Sequence, residues 1–165
     1  MLGRLGLSTF IAYTTLFRSV YLQLGSNMGR RDNHLQLASW LLAQEVGPIL
    51  QTSQVNETAA WGITEQADFF NQVLLLQTAL APQELLNVIL QIEQKMGRHR
   101  QQKWGPRLID IDILFYGDQV IQQANLRIPH PEIQKRNFVL IPMQEIAGDL
   151  MHPVLGKTID ELVAQ

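Results

Sequence analysis

The chain has 165 residues, 46% of them hydrophobic and 17% charged, with a formal net charge of −2 and no cysteine. That length favours a single domain with a sizeable core, and the apolar content excludes wholesale disorder. The charge excludes a global attraction to nucleic acid or an anionic membrane, the missing cysteines exclude disulfides and thiolate chemistry, and no apolar run reaches the ~20 residues needed to span a bilayer.

A cytoplasmic enzyme or binding protein is therefore expected. The first stretch, MLGRLGLSTFIAYTTLFRSV, contains Arg4 and Arg18 and lacks the clean apolar core and small-residue cleavage site of a signal peptide. Residues 1–19 are set apart as a non-native or disordered leader, which leaves 20–165 as one domain. VYLQLGSN (20–27) alternates and then breaks at Gly25-Ser26-Asn27, as a strand feeding a turn does. In DNHLQLASWLLAQE (32–45), Leu35, Ala38, Leu41 and Leu42 recur at helical spacing; Asp32 or Asn33 can cap the helix and Gly47-Pro48 stops it. ILQTSQVNET (49–58) alternates as one strand, 59–68 has turn chemistry, and FFNQVLLLQTAL (69–80) is a strongly apolar strand.

APQELLNVILQIEQKMG (81–97) gives the clearest helix: Pro82 suits its first position, Leu85, Ile89, Ile92 and Met96 form one stripe, and Gly97 ends it. A basic loop, RHRQQKWGPR, leads into the strand LIDIDILFY. Gly117-Asp118 predicts a hairpin turn. The Pro-punctuated segment from Arg127 is then partly helical, and Thr158 with Glu161 forms a capping box. The order of strand, helix, strand, strand, helix, strand suits a split βαβ, ferredoxin-like α+β sandwich, a mainly antiparallel sheet with helices packed on it. A doubly wound parallel sheet would need more helices between strands.

Two acids inside a buried strand demand a reason. Residues two apart on a strand share a face, so Ile109, Ile111, Ile113 and Phe115 would point one way and Asp110 and Asp112 the other, with their backbones roughly 6–7 Å apart. Side by side, two carboxylates repel unless a positive charge joins them. On a solvated face, arginine or lysine could serve. Alternatively, a divalent ion on a phosphate-bearing substrate could, since Mg²⁺ commonly takes one or two carboxylates plus phosphate oxygens. Arg98, His99, Arg100, Lys103 and Arg107 lie just upstream, and Glu93 sits one turn before Gly97. Cations and acids gathered in one loop and strand are what a metal–polyphosphate site requires.

KWGPRLIDIDIL closely resembles the signature of the 6-hydroxymethyl-7,8-dihydropterin pyrophosphokinase family of the folate pathway. YLQLGSN, NETAAWG, DFFNQV and IPHPEIQKRNFVLIPMQEIA resemble further segments of that family in the expected order, from about Val20 to Leu162. The resemblance implies a ferredoxin-like fold and an ATP-dependent diphosphotransferase. The hydroxymethyl oxygen of the pterin attacks the β-phosphorus of ATP, the pyrophosphoryl group is transferred and AMP leaves. It implies Asp110 and Asp112 as ligands of two Mg²⁺ ions, with Arg98 and Arg107 completing the catalytic set. Glu93, Arg98, Arg100, Lys103, Trp104, Arg107, Ile113, Arg127, His130 and Arg136 would meet ATP. Thr58, Trp61, Phe69, Asn71, Asp110 and Phe138 would form the pterin pocket. The implied partners are the two small-molecule substrates alone, with a monomeric chain, no nucleic acid and no membrane.

Some of these residues admit plainer roles. Phe69 and Phe138 could be core aromatics, Trp104 a loop anchor and His130 a turn residue between prolines. Asn71 resists that, because an amide inside FFNQVLLL must find partners if buried. Ala59-Ala60 stands where relatives often carry proline, Phe69 where they often carry tyrosine, and Lys103 where some carry arginine. A sugar-nucleotide transferase with the same paired acids would not need Asn71 between aromatics. A catalytically idle module would not need Asp110, Asp112, Arg107 and Arg98 together.

Overall fold

The computed structural model describes residues 17–60, 62, 65–97 and 106–165. The elements run β1 (Arg18–Ser26), α1 (Arg31–Glu45), β2 (Ile49–Thr52), β3 (Asn56–Thr58), β4 (Phe69–Thr78), α2 (Pro82–Lys95), β5 (Asp110–Tyr116), β6 (Ile121–Gln122), β7 (Arg127–Ile128), a 3-10 turn (Ile133–Lys135), α3 (Asn137–Ala147) and α4 (Ile159–Val163). The main sheet is antiparallel in the order β2-β4-β1-β5, and β3 joins β4 beyond the end of β2. This is the ferredoxin-like α+β arrangement, with each βαβ unit split by an antiparallel neighbour.

Strand alternation sorts the side chains into two layers. Val20, Leu22 and Leu24 of β1, Leu74 and Leu76 of β4, and Ile111 and Ile113 of β5 face α1 and α2, where Leu35, Ala38, Leu42, Leu85, Ile89 and Ile92 complete the larger core. Val73, Leu114 and Phe115 face the other way, against Val139, Leu140 and Met143 of α3 and Ile159 and Leu162 of α4. Gln23, Asn71, Asp110 and Asp112 lie on this second face.

The structure revises four local expectations. The stretch 49–58 is two strands: at Ser53 the backbone N–H donates to Val73 O at 2.9 Å while the Ser53 hydroxyl oxygen accepts Val73 N–H at 2.9 Å. A side chain thus replaces a backbone acceptor and ends the first ladder. The pairing of β5 with β1 slips between Tyr21 and Leu22, leaving Leu114 as an extra residue in β5. That bulge turns Phe115 onto the face of Leu114, away from Ile109, Ile111 and Ile113. Gly117, at φ 53°, does make a turn, but β6 pairs with β7, so no hairpin joins β5 to β6. Finally, α1 starts at Arg31 with no side-chain cap, so Asp32 lies in its first turn, where a carboxylate suits the helix dipole.

Arg18 and Ser19, set with the leader on sequence grounds, pair with Thr78 and Gln77 and belong to β1. The capping box forms as expected: Thr158 Oγ1 accepts Glu161 N–H, and the Glu161 carboxylate accepts Thr158 N–H. Among the described residues, no helix is long and apolar enough to cross a membrane.

Candidate active site

Along β1, the second face passes from Tyr21, edge-on to Phe115, through Gln23 to Gly25. Gly25 pairs with Asp110 of β5 on one side and with Asn71 of β4 on the other. Gln23 likewise pairs with Asp112 and with Val73. Asp110, Gly25 and Asn71 therefore form one row across three strands, and Asp112 and Gln23 form the next. At strand spacing, the Asp110 and Asn71 backbones stand roughly 10 Å apart, with a glycine between them. An added Cβ on Gly25 would lie 3.4 Å from Asn71 Oδ1 and 3.7 Å from the Phe69 ring, so its hydrogen leaves a low floor between acid and amide.

Asn71 is only 3% exposed and has both ends occupied. Its Nδ2 donates to Thr58 Oγ1 at 2.7 Å, and its Oδ1 accepts from Gln23 Nε2 at 3.4 Å. Thr58 reaches it because β3 pairs with β4 at this level, setting Asn56 opposite Asn71 and Thr58 opposite Phe69. Phe69 and Phe138 are half-buried at the edge of this layer, and the Arg136 guanidinium carbon lies 5.6 Å from the Phe138 ring centroid.

The aspartates are half-buried, and the start of the strand carrying them is held from two sides. Glu93 is buried beneath it and accepts Ile111 N–H, between the two acids, at 2.9 Å. Asn27 clasps the segment that enters β5: its backbone N–H donates to Arg107 O at 3.0 Å, and its Oδ1 accepts Arg107 N–H at 2.7 Å. The Asn27 amide also donates to Gln66 Oε1 and Ala67 O, tying in the loop before β4.

His130 follows a cis Ile128-Pro129 peptide, and its N–H donates to Leu114 O at 3.0 Å. Burial first, and the Arg136 guanidinium second, hold its imidazole down at about 4, against the opposing pull of Glu132 and Asp110. His130 is thus neutral near pH 7, close to both Arg136 and Asp110. Its Nδ1 accepts Glu132 N–H, which leaves the proton on Nε2.

The structure brings together Asp110, Asp112, Asn71, Thr58, Phe69, Phe138, His130 and Arg136. Ile113 has its side chain in the larger core, on the face opposite the acids, so only its backbone is open to a nucleotide. Arg127 is exposed on β7. Trp61, Arg98, Arg100, Lys103 and Trp104 lie outside the described residues. Sequence reasoning passed over Gln23, Gly25 and Asn27. Gln23 carried the same signal as Asn71, an amide within an apolar strand.

Residues 21–148 match the family described as 7,8-dihydro-6-hydroxymethylpterin-pyrophosphokinase (HPPK). The 2-amino-4-hydroxy-6-hydroxymethyldihydropteridine pyrophosphokinase of Aquifex aeolicus is 45% identical over 143 residues, covering 87% of this chain and 89% of that protein. The protein of the same name from Synechocystis is 46% identical over 143 residues, covering 86% and 73%. A crystal structure of Plasmodium falciparum HPPK-DHPS with pteroate superposes with a TM-score of 0.74 at 19% identity; it spans 90% of this chain and 42% of that one, and speaks to the fold alone. The chain belongs to the HPPK family and is a pyrophosphokinase.

The His130 environment makes one prediction. An unfolded chain takes up a proton near pH 6.5, whereas the folded chain resists it down to about 4. The unfolded state therefore binds more protons between those values, and stability falls as pH drops through that window. Thermal melts of the wild type should lose stability from pH 6.5 to 4 more steeply than melts of His130→Gln. Parallel curves for the two proteins would contradict the assignment.

Proposed function

We propose that this chain, acting as a cytoplasmic monomer, transfers the pyrophosphoryl group of ATP to the hydroxymethyl oxygen of 6-hydroxymethyl-7,8-dihydropterin, in folate biosynthesis. The oxygen attacks the β-phosphorus in line, and AMP departs. The observation that carries this reading is the row of Asp110, Gly25 and Asn71. It sets a carboxylate beside a glycine floor and an amide that can read a heterocycle.

The pterin would lie over Gly25 with its polar edge on Asn71, which presents a donor and an acceptor on one side chain. Phe69 and Phe138 would flank the ring, gaining offset or edge contacts beyond simple burial. Thr58 would add a hydroxyl at the same edge. The attacking oxygen would then be held toward Asp110, so positioning supplies much of the acceleration.

Asp110 and Asp112 would hold Mg²⁺ ions at the phosphates of ATP. The donor set fits. Asp110 and Asp112 share one face of β5 and offer two hard oxygen donors. Two carboxylates suit an ion that also keeps water and phosphate oxygens as ligands. When bound, the ion supplies neutralisation of charge on the phosphate oxygens. Arg107 and Arg136 would grip the same oxygens, with Arg98, Arg100, Lys103 and Trp104 closing from the loop. His130, neutral with its proton on Nε2, would give a hydrogen bond rather than a charge. Glu93 would act from beneath, by fixing the backbone between the two acids.

Incubation with ATP, Mg²⁺ and the hydroxymethyl pterin should release AMP with one equivalent of pterin diphosphate. Release of ADP would contradict pyrophosphoryl transfer. Asp112→Ala should lower turnover by on the order of a hundredfold or more and leave the melting temperature within a few degrees. Wild-type turnover in that variant would remove the acid from the site.

Gly25→Val gives a complementary check. The protein atoms nearest the new Cβ are at ordinary contact distance, and valine suits a strand better than glycine. The variant should stay folded yet raise the pterin KM by about tenfold or more, since its methyls would occupy the floor under the ring. An unchanged pterin KM would place the ring elsewhere.

A further inference from the structure

Gln23 sits at the centre of the sheet, 4% exposed, in a strand whose neighbouring residues Leu22 and Leu24 are core leucines. Its Nε2 lies 3.4 Å from Asn71 Oδ1 and 3.4 Å from Phe138 O. Among the described residues, its Oε1 is buried with no hydrogen-bond partner. A side chain that served only the fold would be cheaper as an apolar one, because a buried acceptor without a partner costs stability.

The origin of the Phe138 contact lies one helical turn away. A carbonyl in an α-helix accepts from the N–H four residues on. For Phe138, that residue is Pro142, inside α3, and proline has no N–H. The carbonyl therefore lacks its i+4 helical donor, and Gln23 Nε2 donates to it.

We infer that Gln23 is a positioning residue that sets the orientation of the Asn71 amide for the pterin, starting from the Phe138 carbonyl. This inference rests on the pterin reading of the site. A backbone carbonyl can only accept, so the Gln23 atom beside it is the donor nitrogen. The same nitrogen faces Asn71, whose oxygen must then be turned toward it. Asn71 Nδ2 consequently faces Thr58 at 2.7 Å, and Thr58 accepts there, which frees its own O–H to donate. The direction of three side-chain groups is thus fixed by a single proline-vacated carbonyl. Asn71 alone could flip, since the Thr58 hydroxyl can serve either end of an amide. A flipped amide would present the wrong donor and acceptor to the heterocycle.

Gln23→Met keeps the shape and removes the polarity; Gln23→Glu keeps the shape and faces two carbonyl oxygens with an acceptor. Each variant should be assayed for pterin KM, ATP KM and kcat beside the wild type, and the Asn71 side-chain amide signals followed by ¹H–¹⁵N NMR without ligand. Gln23→Met should raise pterin KM about three- to tenfold, with ATP KM and kcat within twofold of wild type, and Gln23→Glu should raise it further. Both should move the Asn71 amide signals. Unchanged pterin KM and unchanged Asn71 signals in folded Gln23→Met would overturn the inference, as would a parallel loss of kcat and ATP affinity. Moved signals in a protein whose wild type does not turn over the pterin would leave the amide relay standing and refute the substrate reading instead.

Discussion

Strand β1 is paired on both sides, and the site exists only in that double register. Asp110 meets Gly25 because β5 is aligned to β1, and Asn71 meets Gly25 because β4 is aligned to β1. A slip of one residue in either ladder would send a carboxylate or an amide into the core and bring a leucine or isoleucine to the site face. The opposite face guards against that slip. Leu22, Leu24, Leu74, Leu76, Ile111 and Ile113 all require burial against the two long helices, so the apolar layer locks the polar one into place.

Local hydrogen bonds then refine what the register begins. Glu93 reaches from α2 to the Ile111 N–H, and Asn27 holds both backbone groups or their equivalents at Arg107. These contacts fix the strand carrying the acids from the helix side and from its entrance. The bulge at Leu114 ends the alternation just beyond Asp112, so Leu114 and Phe115 both join the second core and anchor α3 and α4. Arg136 and Phe138 are set at the start of α3 and so come to the polar row as a consequence of that packing.

Much of this was legible in the chain itself. The strand and helix order, the stripe of Leu85, Ile89, Ile92 and Met96, and the Thr158–Glu161 capping box follow from periodicity and end signals, which are local. The pair Asp110 and Asp112 and the odd amide Asn71 stood out because each opposes the strand that holds it. What stayed hidden depends on distant partners. Nothing near Phe115 announces that a bulge will turn it over, and nothing near Ser53 announces that its hydroxyl will end a ladder by taking Val73 N–H. Gln23, Gly25 and Asn27 looked like strand and turn residues until β4 and β5 were laid beside them. The role of Pro142 becomes visible only when Gln23 is seen 119 positions earlier in the chain, donating to Phe138 O.

Most direct is a crystal structure with a non-hydrolysable ATP analogue, Mg²⁺ and the hydroxymethyl pterin bound together. The Asp110 and Asp112 carboxylates should then face the metal ions on the triphosphate, with the pterin lying over Gly25 and its edge hydrogen-bonded to Asn71. Carboxylates turned away from the phosphates, or a heterocycle bound away from the Gly25 floor, would contradict the account.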